Sequence, residues 1–167
     1  IVGINMITEI PLYDTENNPI NDNVVITIED AEKTEKIVKT IPSNKLVDIS
    51  LGENARNGYW QISTQYQNSG LITAIFSIEM NEMAKFEIRE DKLIATNTGN
   101  TRYIKTIQII IGETIGTKKL DLDIGESSSF RLIAPDGAYN IRVTDGIITL
   151  TKTNVPLTGK AIGILDE

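Results

Sequence analysis

The chain has 167 residues, 40% of them hydrophobic and 23% charged, which is enough for one globular domain or two small ones around a buried core. Its 16 basic and 23 acidic residues leave a net charge of -7, which argues against sequence-independent nucleic-acid binding because phosphate attraction needs a basic face. Cysteine and histidine are both absent, excluding disulfides, thiolate and histidine metal sites, a cysteine nucleophile and a histidine-dependent serine triad.

Ile, Thr, Val and Asn are prominent while Ala and Leu are comparatively scarce, a balance that favours strands and turns over helices. No apolar run approaches the roughly 18 residues needed to span a bilayer. The chain begins at Ile1 rather than Met, the expectation being a processed secreted protein or an excised fragment.

The opening stretch from Ile1 to Leu12 is β-rich, and Pro11, which lacks a ladder donor, marks it as an edge strand or one that switches sheets. Residues 15–23, TENNPINDN, form a cluster of turn residues. Asp14, Asn17 and Asp22 suit a calcium site in type, but side-chain turns use the same residues, and a plain loop is expected. Val24, Ile26 and Ile28 alternate on one face of the next strand, and the charged segment after it reads as an exposed connection. Strands over 35–41 and 46–51 follow, separated by Pro42-Ser43-Asn44.

After the polar corner GENARNG, residues 59–66 place Trp60, Ile62, Thr64 and Tyr66 on one face. Trp60 is expected to anchor the core rather than to stack on a sugar. Asn68-Ser69-Gly70 turns into a strand over 71–78, by which point six or seven strands have passed, enough for a small sandwich. The pattern breaks at Asn81-Glu82-Met83, placing a boundary near residue 82 and two domains over 1–82 and 83–167. Charge supports it: residues 1–81 hold 11 acidic and 5 basic residues, and residues 82–167 hold 12 and 11.

Phe86 and Ile88 open the second set, which turns at Glu90-Asp91 and returns through Leu93 to Asn97. The isoleucine-rich end of 103–112 reads as a buried strand. Strands over 115–122 and 127–134 lead to the corner Pro135-Asp136-Gly137, and Tyr139, Ile141 and Val143 alternate before the turn at Asp145-Gly146. A hairpin through 147–152 follows, with Pro156 expected to restrict later pairing, and residues 159–167 are a candidate final edge strand. The fold class is therefore all-β: two tandem antiparallel β-sandwiches. Gly58-Tyr59-Trp60-Gln61-Ile62 and Gly137-Ala138-Tyr139-Asn140-Ile141 each follow a polar corner and begin a strand with Gly and an aromatic, which suggests two sandwiches of one plan.

The corner LIAPDGAY at 132–139 resembles the strand E to strand F corner of immunoglobulin-like and fibronectin type III-like sandwiches, where a Tyr early in strand F ties back to the corner. LIATNTGNT at 93–101 is similar to the N-x-G-N strand end of CARDB-like modules of prokaryotic, particularly archaeal, surface and envelope proteins. Asp14, Pro19 and Asp22 with the later Gly-Tyr-Trp are similar to related Ig-like repeats. The resemblance implies Ig-like domains in an extracytoplasmic, cell-surface or secreted setting, and it brings no catalytic residue.

Other chemistry is thinly supported. Asp121, Asp123 and Glu126 offer hard oxygen ligands for calcium, but Gly125 stands where an EF-hand needs its third acidic ligand, so a strand end with a polar loop is expected. Neither a P-loop nor G-x-G-x-x-G occurs, N-x-Ser/Thr is missing, and the G-x-x-x-G of Gly159 and Gly163 lacks an apolar helix. No catalytic, cofactor-binding or metal residue is assigned. The expectation is a non-enzymatic structural or adhesion module: a spacer, an assembly unit or a protein-binding ectodomain, with filament or surface-layer assembly through N-terminal strand exchange as one version. Its partners would be proteins or further copies of itself, meeting at edge strands, without nucleic acid and without membrane insertion in this segment. The alternative is a carbohydrate-binding or hydrolase-accessory domain using Tyr13, Tyr59 or Tyr66.

Overall fold

The computed structural model describes residues 4–167; the first three residues of the expected N-terminal strand lie outside the described residues. Fourteen strands and no helix occur among them, so no helix is long and apolar enough to cross a membrane. The chain divides into two compact units, 1–80 and 81–167.

The first unit contains β1 (Ile4–Thr8), β2 (Asn23–Asp30), β3 (Lys36–Pro42), β4 (Val47–Gly52), β5 (Gly58–Thr64) and β6 (Ile72–Ile78). One antiparallel sheet runs β3-β2-β5-β6 and a second pairs β1 with β4. Alternation decides what each strand buries: Val24, Ile26 and Ile28 of β2, Ile49 and Leu51 of β4, and Trp60 and Ile62 of β5 form the core. β1 stops at Thr8, so Pro11 lies beyond it in an irregular connection. That connection is held by Asn44, whose Oδ1 accepts from the Leu12 amide at 2.8 Å and whose Nδ2 donates to the carbonyls of Leu12 and Ile20.

The second unit contains β7 (Ala84–Arg89), β8 (Lys92–Asn97), β9 (Tyr103–Ile111), β10 (Thr114–Leu122), β11 (Ser127–Ile133), β12 (Gly137–Thr144), β13 (Thr149–Leu157) and β14 (Gly163–Asp166). Sheet β10-β9-β12-β13 faces sheet β14-β11-β8-β7 across a core that includes Leu93, Ile107, Ile109, Leu132, Ile141 and Val143. The isoleucine-rich β9 is buried on one face only: Ile107, Ile109 and Ile111 point inward and Gln108 outward. Pro156 sits within β13 opposite Ala138, tolerated because β13 is an edge strand. β14 is the expected final edge strand, paired with β11.

The two units share a plan. β1 to β6 follow the order and pairing of β8 to β13: the first strand pairs with the fourth, and the second, third, fifth and sixth form the other sheet. Registers agree as well. Ile28 pairs with Ile62 as Ile111 pairs with Ile141, and Ile26 with Thr64 as Ile109 with Val143. Likewise Trp60 faces Phe76 and Gly58 faces Ile78, as Tyr139 faces Val155 and Gly137 faces Leu157. Two all-β antiparallel sandwiches result, an architecture compatible with immunoglobulin-like modules.

Candidate functional site

The corner residues are the first to be placed. Tyr139, the third residue of β12, donates its hydroxyl to the Pro135 carbonyl four residues back at 2.7 Å, while its half-buried ring packs against the core. In the first unit the third residue of β5 does the same with different chemistry: Trp60 Nε1 donates to the Arg56 carbonyl, also four residues back, at 2.9 Å. Trp60 is 1% exposed and stacks on Phe76 at 6.2 Å between ring centroids, as expected of a core anchor.

The N-x-G-N segment is a clamp. Asn97 is buried; its Nδ2 donates to the carbonyls of Thr101 and Leu122 and its Oδ1 accepts from the Gly99 amide. Asn100 Oδ1 accepts from the Asn81 amide at 2.7 Å, and the Asn100 amide donates back to the Asn81 carbonyl. A Cβ at Gly99 would strike the Asn81 carbonyl oxygen and lie 2.8 Å from the Met83 amide nitrogen, so only glycine allows this approach. All of these polar groups serve the backbone of their own unit.

Two buried acids were not legible as such in the sequence. Asp30 closes the connection after β2, accepting from the Glu35 amide at 2.8 Å and the Thr34 hydroxyl at 2.6 Å. Burial disfavours its charge, yet these donors outweigh burial and hold its carboxyl below the ordinary range. In the second unit, the Tyr103 hydroxyl donates to Asp145 at 2.7 Å, with Lys105 3.8 Å from Asp145 and 2.9 Å from Glu82. Burial chiefly, then the Asp145 carboxylate, drives the Tyr103 phenol upward. Burial opposes ionisation of Asp145, but Tyr103 and the amides of Ile147 and Ile148 still pull it down. Asp145 was read as a turn residue, and it is one; nothing local signals a tyrosine 42 residues away.

The acidic segments considered for calcium have other partners. Asp14 accepts from the Glu16 and Asn18 amides in a side-chain turn, and its carboxyl is held low chiefly by the Asn18 amide. Asp22 accepts from the Tyr66 hydroxyl at 2.8 Å, the chief cause of its lowered pKa and of the raised pKa of Tyr66. Asp121 forms a two-bond pair with Arg102, and Glu126 accepts from the Asp123 amide. Among the described residues no group of three or more acidic side chains is arranged for a metal ion.

The three tyrosines considered for sugar binding are dispersed. Tyr66 lies past the end of β5, which stops at Thr64, and does not share the Trp60 face of a strand as expected. Tyr59 is 70% exposed on the outer face of β5. It borders a hollow of about 470 Å³ whose lining includes Glu29, Lys33, Gln61, Leu71 and Ile75. Tyr66, at the turn beyond β5, gives its hydroxyl to Asp22, whereas Tyr59 lies on the outer face of β5.

The edges of the first unit's sheets are the remaining feature. β6, ITAIFSI, carries neither a charge nor a proline; Ile72 on its inner face is 64% exposed and Ile75 on its outer face 71%. Edge strands of this kind pair readily with other chains, whereas β13 in the same place has Lys152, Pro156 and a bulge. Compared with known proteins, the chain matches no family model and no curated protein.

Proposed function

We propose that this chain is a non-enzymatic structural module of an extracytoplasmic protein, two sandwiches in series that act as spacer and protein-binding unit. The setting follows from the resemblance of its corner and N-x-G-N segment to CARDB-like and other Ig-like modules of prokaryotic, archaeal-type surfaces. The observation that carries the reading is the bare apolar edge strand β6, a template for pairing with another chain, here a second copy. The buried polar groups described above support it, since each is engaged by the backbone or side chains of its own unit.

Sedimentation velocity tests it. The chain should associate with rising concentration, and Ile75→Lys, which adds an edge charge at an exposed site, should disperse the assemblies. A chain that stays monomeric throughout overturns assembly through β6. A carbohydrate-binding role is the second reading, favoured by exposed Tyr59 beside the polar groups of its hollow. Glycan-array binding abolished by Tyr59→Ala would establish it in place of the first.

A further inference from the structure

Among the described residues β6 is the edge of its sheet, and the bonds inside that sheet decide which of its backbone groups point away from it. The Ala31 amide donates to the Tyr59 carbonyl at 3.0 Å, so Tyr59 turns its backbone groups toward β2. Successive residues of a strand turn opposite ways, and Trp60, Ile62 and Thr64 therefore bond their β6 partners Phe76, Ala74 and Ile72. Thr73, Ile75 and Ser77 direct their amides and carbonyls at the open edge. Their side chains stand on the outer face of the sheet, where Ile75 is 71% exposed.

The inner face of β6 is graded along its length: Ile72 and Ala74 are exposed, Phe76 and Ile78 half-buried. An antiparallel copy of the same strand inverts that gradient. Exposed Ile72 then meets half-buried Ile78, and small Ala74 meets Phe76. On the outer face Thr73 meets Ser77, a hydroxyl pair, and Ile75 meets itself. In this register every outward residue faces an outward residue, each pair exchanging both backbone bonds. Sliding by two residues in either direction sets Thr73 or Ser77 against a residue outside β6. Other edges offer a poorer match. Among the described residues every other edge strand of six or more residues carries a charge: Lys36 and Lys39 on β3, Asp48 on β4, Lys85 on β7, Lys118 on β10 and Lys152 on β13.

We propose that two copies of this chain pair through β6 about a two-fold axis, antiparallel, with Ile75 opposite Ile75 of the second copy. The contact joins two four-stranded sheets into one continuous sheet. Because each copy offers a single β6, pairing consumes both edges and closes at a dimer instead of growing into a filament. This rests on the reading of β6 as an assembly edge, and it adds the orientation of the second copy, the register and the stoichiometry.

The test uses the full chain, which has no cysteine of its own. Sedimentation equilibrium should level off at twice the 18.5 kDa of one chain. Ile75→Lys and Ile75→Glu should each weaken the dimer, because like charges then stand directly opposite, and an equimolar mixture of the two should associate about tenfold more tightly than either variant alone. Under mild oxidation Ile75→Cys should link to itself, whereas Thr73→Cys should link to Ser77→Cys and not to itself. Residues opposite one another lie about 5.5 Å apart at Cα, within reach of a disulfide, and residues four places along the strand do not. Thr73→Cys and Ser77→Cys each linking to themselves as readily as Ile75→Cys, the pattern of parallel pairing, would overturn the proposal. So would a mixture no tighter than its components, or masses that grow past the dimer. With any of these results, assembly that Ile75→Lys still disperses keeps β6 as the edge, whereas a chain that stays monomeric throughout overturns that reading as well.

Discussion

The two units carry the same registers in three strands, β2, β5 and β6 against β9, β12 and β13, but differ in what covers them. In the second unit eight strands enclose the core, and both the strand before β8 and the strand after β13 add to one sheet. In the first unit the corresponding sheet has two strands among the described residues, and Ile72 on the inner face of β6 is 64% exposed. Pairing register follows from backbone hydrogen bonds and alternation, which a short strand specifies by itself. Burial requires a second layer, which no strand can specify alone. Ile72 is therefore largely exposed, whereas its counterpart in register, Leu150, is partly buried against the core of the second unit.

The corners sharpen the comparison, because each locks the start of the fifth strand by one hydrogen bond four residues back. Trp60→Ala should cost the most, about 3–5 kcal/mol for a fully buried aromatic. Hydrogen exchange read strand by strand should show the loss in β2 and β5, with β9 and β12 unchanged; a loss spread equally over both units would contradict the division into two. Gly99→Ala should be next, at about 3 kcal/mol, because the added methyl group meets backbone rather than a yielding side chain. Here the losses should fall in β7 and β8, and Asn97→Ala should reproduce them by stranding the carbonyls of Thr101 and Leu122.

Titration separates the units again. The Tyr103 pKa is raised on folding, so its contribution is fully present below the unfolded value of about 10 and is lost as pH rises beyond it. The Asp145 pKa is lowered, so its contribution is present above an unfolded value of about 3.9 and is lost as pH falls below it. Tyr103→Phe should destabilise the second unit by about 1–3 kcal/mol near neutrality and flatten its alkaline decline. An alkaline slope in β9 exchange unchanged by the substitution would assign that decline elsewhere. The smallest effect belongs to Tyr139→Phe, about 1 kcal/mol for one hydrogen bond from a half-buried ring, measured by denaturant unfolding.

Much of the fold was legible because alternation is local. The inward triplets Val24-Ile26-Ile28 and Tyr139-Ile141-Val143, the turns at Asn68-Ser69-Gly70 and Asp145-Gly146, and the corner role of Tyr139 all follow from residues within one strand and its turn. Tyr66 was misplaced because alternation does not say where a strand stops, and its hydroxyl is claimed by Asp22, 44 residues earlier. Pro156 was expected to restrict later pairing; it sits within the β13 ladder opposite Ala138, where an edge position leaves its missing donor harmless.

By itself the sequence determined the all-β class, the alternating core faces, the turns and the repeated Gly-aromatic strand start, since each depends on neighbours a few residues apart. Only the tertiary structure decided that Trp60 and Tyr139 perform the same corner bond, that Asn97 holds the carbonyls of Thr101 and Leu122 while Asn100 grips the segment at Asn81, and that β6 and β13 lie at sheet edges. These depend on which distant strands lie side by side, and alternation within a strand carries no information about its neighbour.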